Sequence, residues 1–395
     1  MYAGKLVFAQ LMDHVPLHTF RRCVACYPSR YPTMLFSHLD QFLAMAFAQL
    51  TFRESLRDIE TCLRAHSTKL YHLGIRGYIA RSTLADANET RDWRVYRDFA
   101  LSLIRVARQL YAGESFAVEL EHTAYALDTT TIDLSLSLFP WARFRKTKAA
   151  VKLHTLLDLC GNIPTFIHIS DGQLHKVNVL DSIAFEPGNF YMMDCGFLDF
   201  ARLYRLYLAQ AFFVIRAKSN LQYRRLYLHP IDKTTGLRCD QTFVLTGVRS
   251  CTGYPVQLRR ITFYDAAHDK LLVLFTNNFA LPARTVCDLY RCRWQVELFF
   301  KWIKHHLRIK ALFGTSENVV KTQVWIAIAV YALVAIIKKR LNLDASLYTI
   351  LQILSLTLFE QTSLNQLLAD IEQETSPMTN SNQLNLNASP VDSAA

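Results

Sequence analysis

This sequence predicts a mixed α/β chain in two unequal parts: a helical segment over residues 1–115, then a mixed sheet over 116–345 with a β-rich insertion before its last helix. Three observations predict it. Apolar residues recur at helical spacing through the first part. From about residue 116, short apolar or alternating runs between turn residues follow the order βββ-α-β-α-β. A helix of mixed charge then closes the series.

In the first part, Thr51-Phe-Arg-Glu54 has the form of a capping box opening a stretch through Leu56, Ile59 and Leu63. Trp93, Tyr96, Phe99, Leu103, Ala107, Leu110 and Tyr111 share one helical face, so Asp92 to Tyr111 is expected to be one long amphipathic helix. Gly74, Gly77 and Ser82-Thr83 interrupt shorter pieces between them. Two readings stay open for this segment, a helix-turn-helix-like DNA reader and a plain helical bundle.

In the second part, Phe116 to Asp128, Ala149 to Asp158 and Ile163 to Ser170 are three expected strands joined by hairpins. A helical stretch near His175 to Phe185 follows. Next come a strand Phe190 to Asp194, a helix Asp199 to Gln210 and a strand Phe212 to Ala217. Residues 219–281 hold strand-like runs at Thr242 to Leu245, Gln257 to Tyr264 and Leu271 to Phe275, and a helix is expected from about Thr285 to Ile309. A C-terminal helical segment over 346–376 and a disordered tail over 377–395, rich in Ser, Asn and Gln, complete the chain.

Composition bounds the function. With 51% hydrophobic residues in 395, the bulk of the chain must fold around sizeable cores. The net charge of +11 favours an acidic partner such as nucleic acid or an anionic membrane surface. That charge is uneven: residues 116–345 carry 29 basic and 18 acidic side chains, residues 1–115 carry 15 and 10, and residues 346–395 carry none and 5. Nucleic acid is therefore expected mainly against the middle segment. The apolar run Val324 to Ile337, 14 residues closed by Lys338, Lys339 and Arg340, is shorter than a membrane span and reads as a core helix. The N-terminus has no export-signal pattern, and nine irregularly spaced cysteines fit reduced thiols, so a cytoplasmic protein is expected. Cys23-x-x-Cys26 lacks the second pair that a zinc site requires.

Three carboxylates stand at informative places. Asp128 (YALDTTTID) and Asp194 (FYMMDCGF) each end an expected strand, where Asp also commonly begins a turn. Glu297 lies on the charged helix. Tyr290, Arg293, Glu297, Lys301 and Lys304 share one arc of it, and Leu289, Val296, Phe299, Phe300, Ile303 and Leu307 occupy another. A solvated ladder Arg293–Glu297–Lys301 would give the same periodicity. Trp294 and Trp302 read as packing residues, and His305-His306 lack a third ligand nearby.

The series Tyr290-x2-Arg293-x3-Glu297-x6-Lys304 matches the signature of the insertion-sequence-four family of DDE transposases. ALDTTTIDLSLSLFPWA resembles that family's first-Asp region, FYMMDCGFLDF its second, and FFVIRAKS the strand beyond. The N-terminal segment also looks like the helical domain that precedes the catalytic domain in one branch. The resemblance spans residues 5–370 and implies a ribonuclease-H-like fold. It makes Asp128, Asp194 and Glu297 the catalytic carboxylates, with Asp133 a decoy. Asp199 has a family counterpart, but a helix N-cap explains it equally. Cys195 and Phe197 depart from the family's Asp-Arg-Gly-Tyr pattern, so contacts made by those two side chains are not carried over.

Hard carboxylate oxygens suit two Mg²⁺ ions, with Mn²⁺ able to substitute, in a phosphodiester-cleaving site. Arg293, Lys301, Lys304, Tyr290, Arg216 and Lys218 would then contact DNA, together with the basic loop Arg143, Arg145, Lys146 and Lys148. Tyr254 and Tyr264 are alternative candidates for an aromatic that holds a flipped base. The function that the resemblance implies is metal-dependent strand cleavage at terminal inverted repeats and strand transfer into target DNA. It would be carried out by a homodimer or higher assembly on paired ends, with no membrane partner. A nuclease or resolvase on the same fold and a non-catalytic DNA-binding descendant are the alternatives.

Overall fold

The computed structural model describes residues 4–28, 35–114, 118, 120, 122–218, 221–266, 268–305 and 312–368. The expected tail over 377–395 and His306 lie outside them, and so does the side chain of His305. Six helices come first: α1 (Val7–Met12), α2 (Leu17–Cys26), α3 (His38–Leu50), α4 (Leu56–Ala65), α5 (Arg81–Thr90) and α6 (Arg94–Tyr111). The helix α4 is capped by Ser55, whose side chain accepts from the Asp58 amide, and not by the expected box at Thr51 and Glu54. Thr51 instead turns its hydroxyl back to the Phe47 carbonyl at the end of α3.

The sheet then builds from β1 (Ala124–Leu134), β2 (Arg143–Arg145), β3 (Lys148–Asp158), β4 (Ile163–Asp171), β5 (Phe190–Met193), α7 (Phe200–Leu208) and β6 (Phe212–Arg216). It continues through β7 (Tyr223–Leu228), β8 (Leu237–Leu245), α8 (Val248–Gly253), β9 (Leu258–Asp265) and β10 (Lys270–Thr276). Helices α9 (Ala283–Cys292), α10 (Trp294–His305), α11 (Glu317–Arg340) and α12 (Leu347–Thr357) follow, and residues 364–368 at the end of the described chain are helical again.

The strand order is β2-β3-β1-β5-β6-β10-β9-β8-β7, with β4 also on β3. The antiparallel β1–β3–β4 set followed by parallel β5 and β6 is the order that the ribonuclease-H-like expectation requires. One difference concerns the β-rich stretch. It does not stand apart from the sheet, because β10 pairs antiparallel with β6 and extends it. The helical stretch expected near His175 to Phe185 is a 3-10 segment, Lys176–Ser182. The helix expected from Thr285 to Ile309 is two helices, α9 and α10, meeting at Arg293. There the ladder tightens to three-residue bonds, Arg293 N to Tyr290 O and Val296 N to Arg293 O, both 3.1 Å.

Strand alternation sorts side chains onto two faces. Ala124, Ala126, Met192 and Val214 join a core shared with the N-terminal helices and α9 to α12. Tyr125, Leu127, Tyr191, Met193, Phe213 and Ile215 pack into a second core with α7. The first core is continuous from α1 to α12: Tyr111 Oη donates to the Ala335 carbonyl at 3.0 Å, and the Val7 amide reaches the Glu360 carbonyl at 2.9 Å. At its centre lies α11, 24 residues long where 14 apolar residues were expected. By length and composition it could cross a membrane, but 94% of its most apolar window is buried against protein.

Within the β-rich stretch, Arg259 forks onto Asp240 at 2.9 and 2.7 Å and also donates to the Leu281 carbonyl at 2.6 Å, tying β8 and β9 to the turn that leads into α9. Both side chains are under 10% exposed. Arg259→Met leaves the Asp240 charge buried alone, so a loss of about 3–5 kcal/mol is expected in urea denaturation. A change below about 1 kcal/mol would show that water reaches this pair and screens it.

Candidate active site

The parallel register aligns Leu127 of β1 with Met193 of β5, so the residues that directly follow them, Asp128 and Asp194, are cross-strand neighbours. Asp128 shares the parity of Ala126 and therefore faces the helices of the first core, while Asp194 follows the last residue of β5 and caps the turn Cys195–Phe197. Asp128 does not end its strand as expected. It lies in the middle of β1, which runs on to Leu134 because β3 keeps pairing with it. Asp133, an odd number of residues away, points to the opposite face and is exposed.

Glu297 arrives on the first turn of α10, opposite β1. The link between strand and helix is Arg293, at the α9–α10 junction. Its Nη1 donates to Asp128 Oδ2 at 2.8 Å and its Nη2 to Glu297 Oε1 at 2.5 Å. One guanidinium thus holds two of the three carboxylates, and its buried Nε makes no hydrogen bond. Lys304, two turns on from Glu297, donates to the Thr131 carbonyl at 2.6 Å and fastens α10 along β1. The i,i+4 contact to Glu297 that a surface ladder would supply is present, but it is turned inward onto Asp128.

Burial pushes the Asp128 carboxyl above the ordinary carboxylate range; the Thr129 amide and Arg293 pull the other way, and Asp194 adds to the rise. Burial opposes the charge on Arg293, yet Tyr290, Asp128 and Glu297 outweigh it and raise its proton affinity further. Burial also raises Tyr290, against the pull of Arg293 and Arg216. Tyr290 is itself buried, with the Arg293 guanidinium 5.7 Å from its ring centroid.

Asp194 has a partner that the spacing of the sequence did not reveal. Lys176 Nζ sits 2.7 and 2.6 Å from its two oxygens. Lys176 lies in the stretch expected to be helical near His175 to Phe185, 18 residues before Asp194, and no periodicity relates the two.

Other expected residues fall around this centre. Arg216 ends β6 and Lys218 lies just beyond it, both exposed; Lys301 is exposed on α10, and the basic residues Arg143, Arg145, Lys146 and Lys148 are all exposed on the β2–β3 hairpin. Trp302 is buried as expected, whereas Trp294 is 58% exposed, because it starts α10 on the side away from the core. Tyr254 is packed among Tyr204, Tyr207 and Phe213, while Tyr264 donates to Asp269. Asp199 caps α7, its Oδ1 accepting from the Arg202 amide at 3.0 Å. Cys23 and Cys26 are free thiols.

Three carboxylates on two strands and a helix form a hard-oxygen donor set, which fits a divalent cation. The protein's own Arg293 and Lys176 already answer their demand for positive charge. Among the described residues, no three His, Cys, Asp or Glu side chains are drawn together tightly enough to hold an ion as they stand.

Residues 119–333 match the Transposase DDE domain, and residues 3–76 match a domain of unknown function, DUF4372. The chain is 32% identical over 265 residues to y4zB of Sinorhizobium fredii, which carries a transposase name, covering 66% of this chain and 71% of that one. It is 29% identical over 226 residues to a protein of Geobacillus stearothermophilus named as the transposase of insertion sequence element IS5377, covering 56% and 59%. With a Synechocystis protein named as the transposase of IS4SA it shares 25% identity over 335 residues, 81% of this chain and 89% of the relative. A piggyBac transposase synaptic complex with hairpin DNA aligns over 93% of this chain and 80% of that one, at 8% identity and a TM-score of 0.44. With a family match over more than half its length, this chain belongs to the DDE transposases, DNA-binding enzymes whose general reaction is divalent-metal-dependent strand cleavage and transfer.

Proposed function

We propose that Asp128, Asp194 and Glu297 are the catalytic carboxylates of this transposase and together hold two Mg²⁺ ions, with Mn²⁺ able to substitute. The observation that carries this reading is the junction at Arg293, which joins Asp128 to Glu297 beside the strand end that carries Asp194. When bound, such ions activate an attacking oxygen and stabilise a leaving one. The chain's own residues position the DNA. Arg216, Lys218 and Lys301 are exposed and supply charge for the phosphate backbone, as do Arg143, Arg145, Lys146 and Lys148 on the β2–β3 hairpin. Lys304 and Tyr290 keep the site's edge in place, and each reaches a terminal phosphate or base when DNA arrives.

In this reading the enzyme recognises the terminal inverted repeats of its own element, with residues 1–115 contributing to binding. It acts as a homodimer or higher assembly on paired ends and moves DNA by a cut-and-paste route in the bacterial cytoplasm, at the nucleoid. Purified protein given end-labelled flanking repeats, Mg²⁺ and a target plasmid should give both nicked ends and plasmid-joined product. Hydrolysis products alone would make it a nuclease, and an uncut substrate in Mg²⁺ and Mn²⁺ would make it a binding protein. Binding to those ends should also weaken with salt, log K falling by about 0.9 per phosphate neutralised for each tenfold rise in salt. A flat salt response would remove DNA from the basic middle segment.

A further inference from the structure

Both oxygens of Asp194 are already engaged. Lys176 Nζ lies 2.7 and 2.6 Å from them, and the Gly196 amide donates to Oδ1 at 3.0 Å. Several features build this contact. The lysine opens the 3-10 segment Lys176–Ser182, which holds its backbone near the end of β5. Its stem crosses Gly196 so closely that a Cβ there would lie 1.9 Å from Cε, 2.5 Å from Nζ and 3.2 Å from Asp194 Oδ1, so a larger residue would push the end of the lysine aside. The ammonium also lies 5.0 Å from the Phe197 ring centroid, on the favourable face for a cation. The two side chains are 27% and 28% exposed, so the pair is partly shielded from water yet open enough to separate.

We infer that Lys176 is a positioning residue that stands in for the metal at Asp194: it holds the carboxylate in the metal-free protein and must swing away before Asp194 can hold an ion. This rests on the reading of Asp194 as a metal-holding residue. A hard cation and an ammonium compete for the same two oxygens, so every ion bound at Asp194 requires the Lys176 contact to break. Lys176 thereby raises the metal concentration at which the site fills. Once displaced, its charge remains at the rim of the site, within reach of an arriving phosphate.

The test is Mn²⁺ binding to the full-length protein without DNA, read from the electron paramagnetic resonance signal of free Mn²⁺. Lys176→Met should bind Mn²⁺ about tenfold more tightly, since the competing charge-assisted bonds are gone. Gly196→Ala should shift affinity in the same direction by crowding the stem off Asp194, and Lys176→Arg, which keeps a cation there, should stay near the wild type. Asp194→Asn separates the two ideas. If it loses binding while Lys176→Met and Gly196→Ala both bind like the wild type, the competition inference is overturned and the metal reading stands. If it binds Mn²⁺ as the wild type does, the metal reading of Asp194 is overturned, and the inference with it.

Discussion

Glu297→Gln protein should bind its cognate ends as the wild type does and cut almost none of them. The amide keeps the shape of the side chain, and its carbonyl oxygen can still accept from Arg293 Nη2, so the α9–α10 junction stays closed. What disappears is one anionic oxygen donor. If that donor helps to hold an ion that stabilises transition-state charge, its loss costs about 4 kcal/mol, on the order of a thousandfold in cleavage rate. Gel analysis of labelled ends gives the rate, and a mobility-shift titration gives the affinity. A variant that cuts at the wild-type rate would remove Glu297 from the site. One that neither binds nor cuts would place it in DNA recognition instead.

Arg293→Met should be the most destabilising change at the site. One guanidinium neutralises two carboxylates here, and truncating it leaves both without a partner. Asp128, 12% exposed, dominates the cost, while Glu297, 34% exposed, keeps some hydration. A loss of about 3–5 kcal/mol is expected in urea denaturation near neutral pH. The effect should depend on pH with a definite sign. Burial already raises the Asp128 carboxyl, and removing Arg293 raises it further, so the folded variant penalises the charged form. That penalty is present when the unfolded chain is ionised and fades as pH falls toward the ordinary carboxylate range. The deficit of the variant should therefore shrink in acid. Arg293→Lys should recover part of it only, because an ammonium cannot fork to two acceptors in the same way. Equal stability of wild type and Arg293→Met at neutral pH would mean that the bridge contributes nothing net.

The charged face around Glu297 was the most legible part of the site's sequence, although its break into two helices at Arg293 was not. The i,i+4 spacing of Arg293 and Glu297 fixes their contact whatever the surroundings, and the apolar arc through Leu289, Val296 and Ile303 fixes which side packs inward. The choice of Asp128 over Asp133 came from the family resemblance; the fold adds that the two lie an odd number of residues apart and so face opposite sides of β1. The limits of β1 were not readable. Its apolar character fades after Leu127, and what keeps Thr129 to Leu134 extended is pairing with β3, a partner whose register local sequence does not encode.

Local chemistry thus sufficed for the order of most elements and the basic character of the middle segment, because each follows from spacing and composition along the chain, whereas the choice of the three carboxylates rested on the resemblance to the transposase family. Only the folded protein decided that Arg293 bends the charged helix and bridges to β1, that β10 joins the β-rich stretch to the central sheet, and that Lys176 closes on Asp194. Those are contacts between segments 18 to 165 residues apart. Their formation depends on which surfaces the cores bring together, and no periodicity of a single segment carries that information.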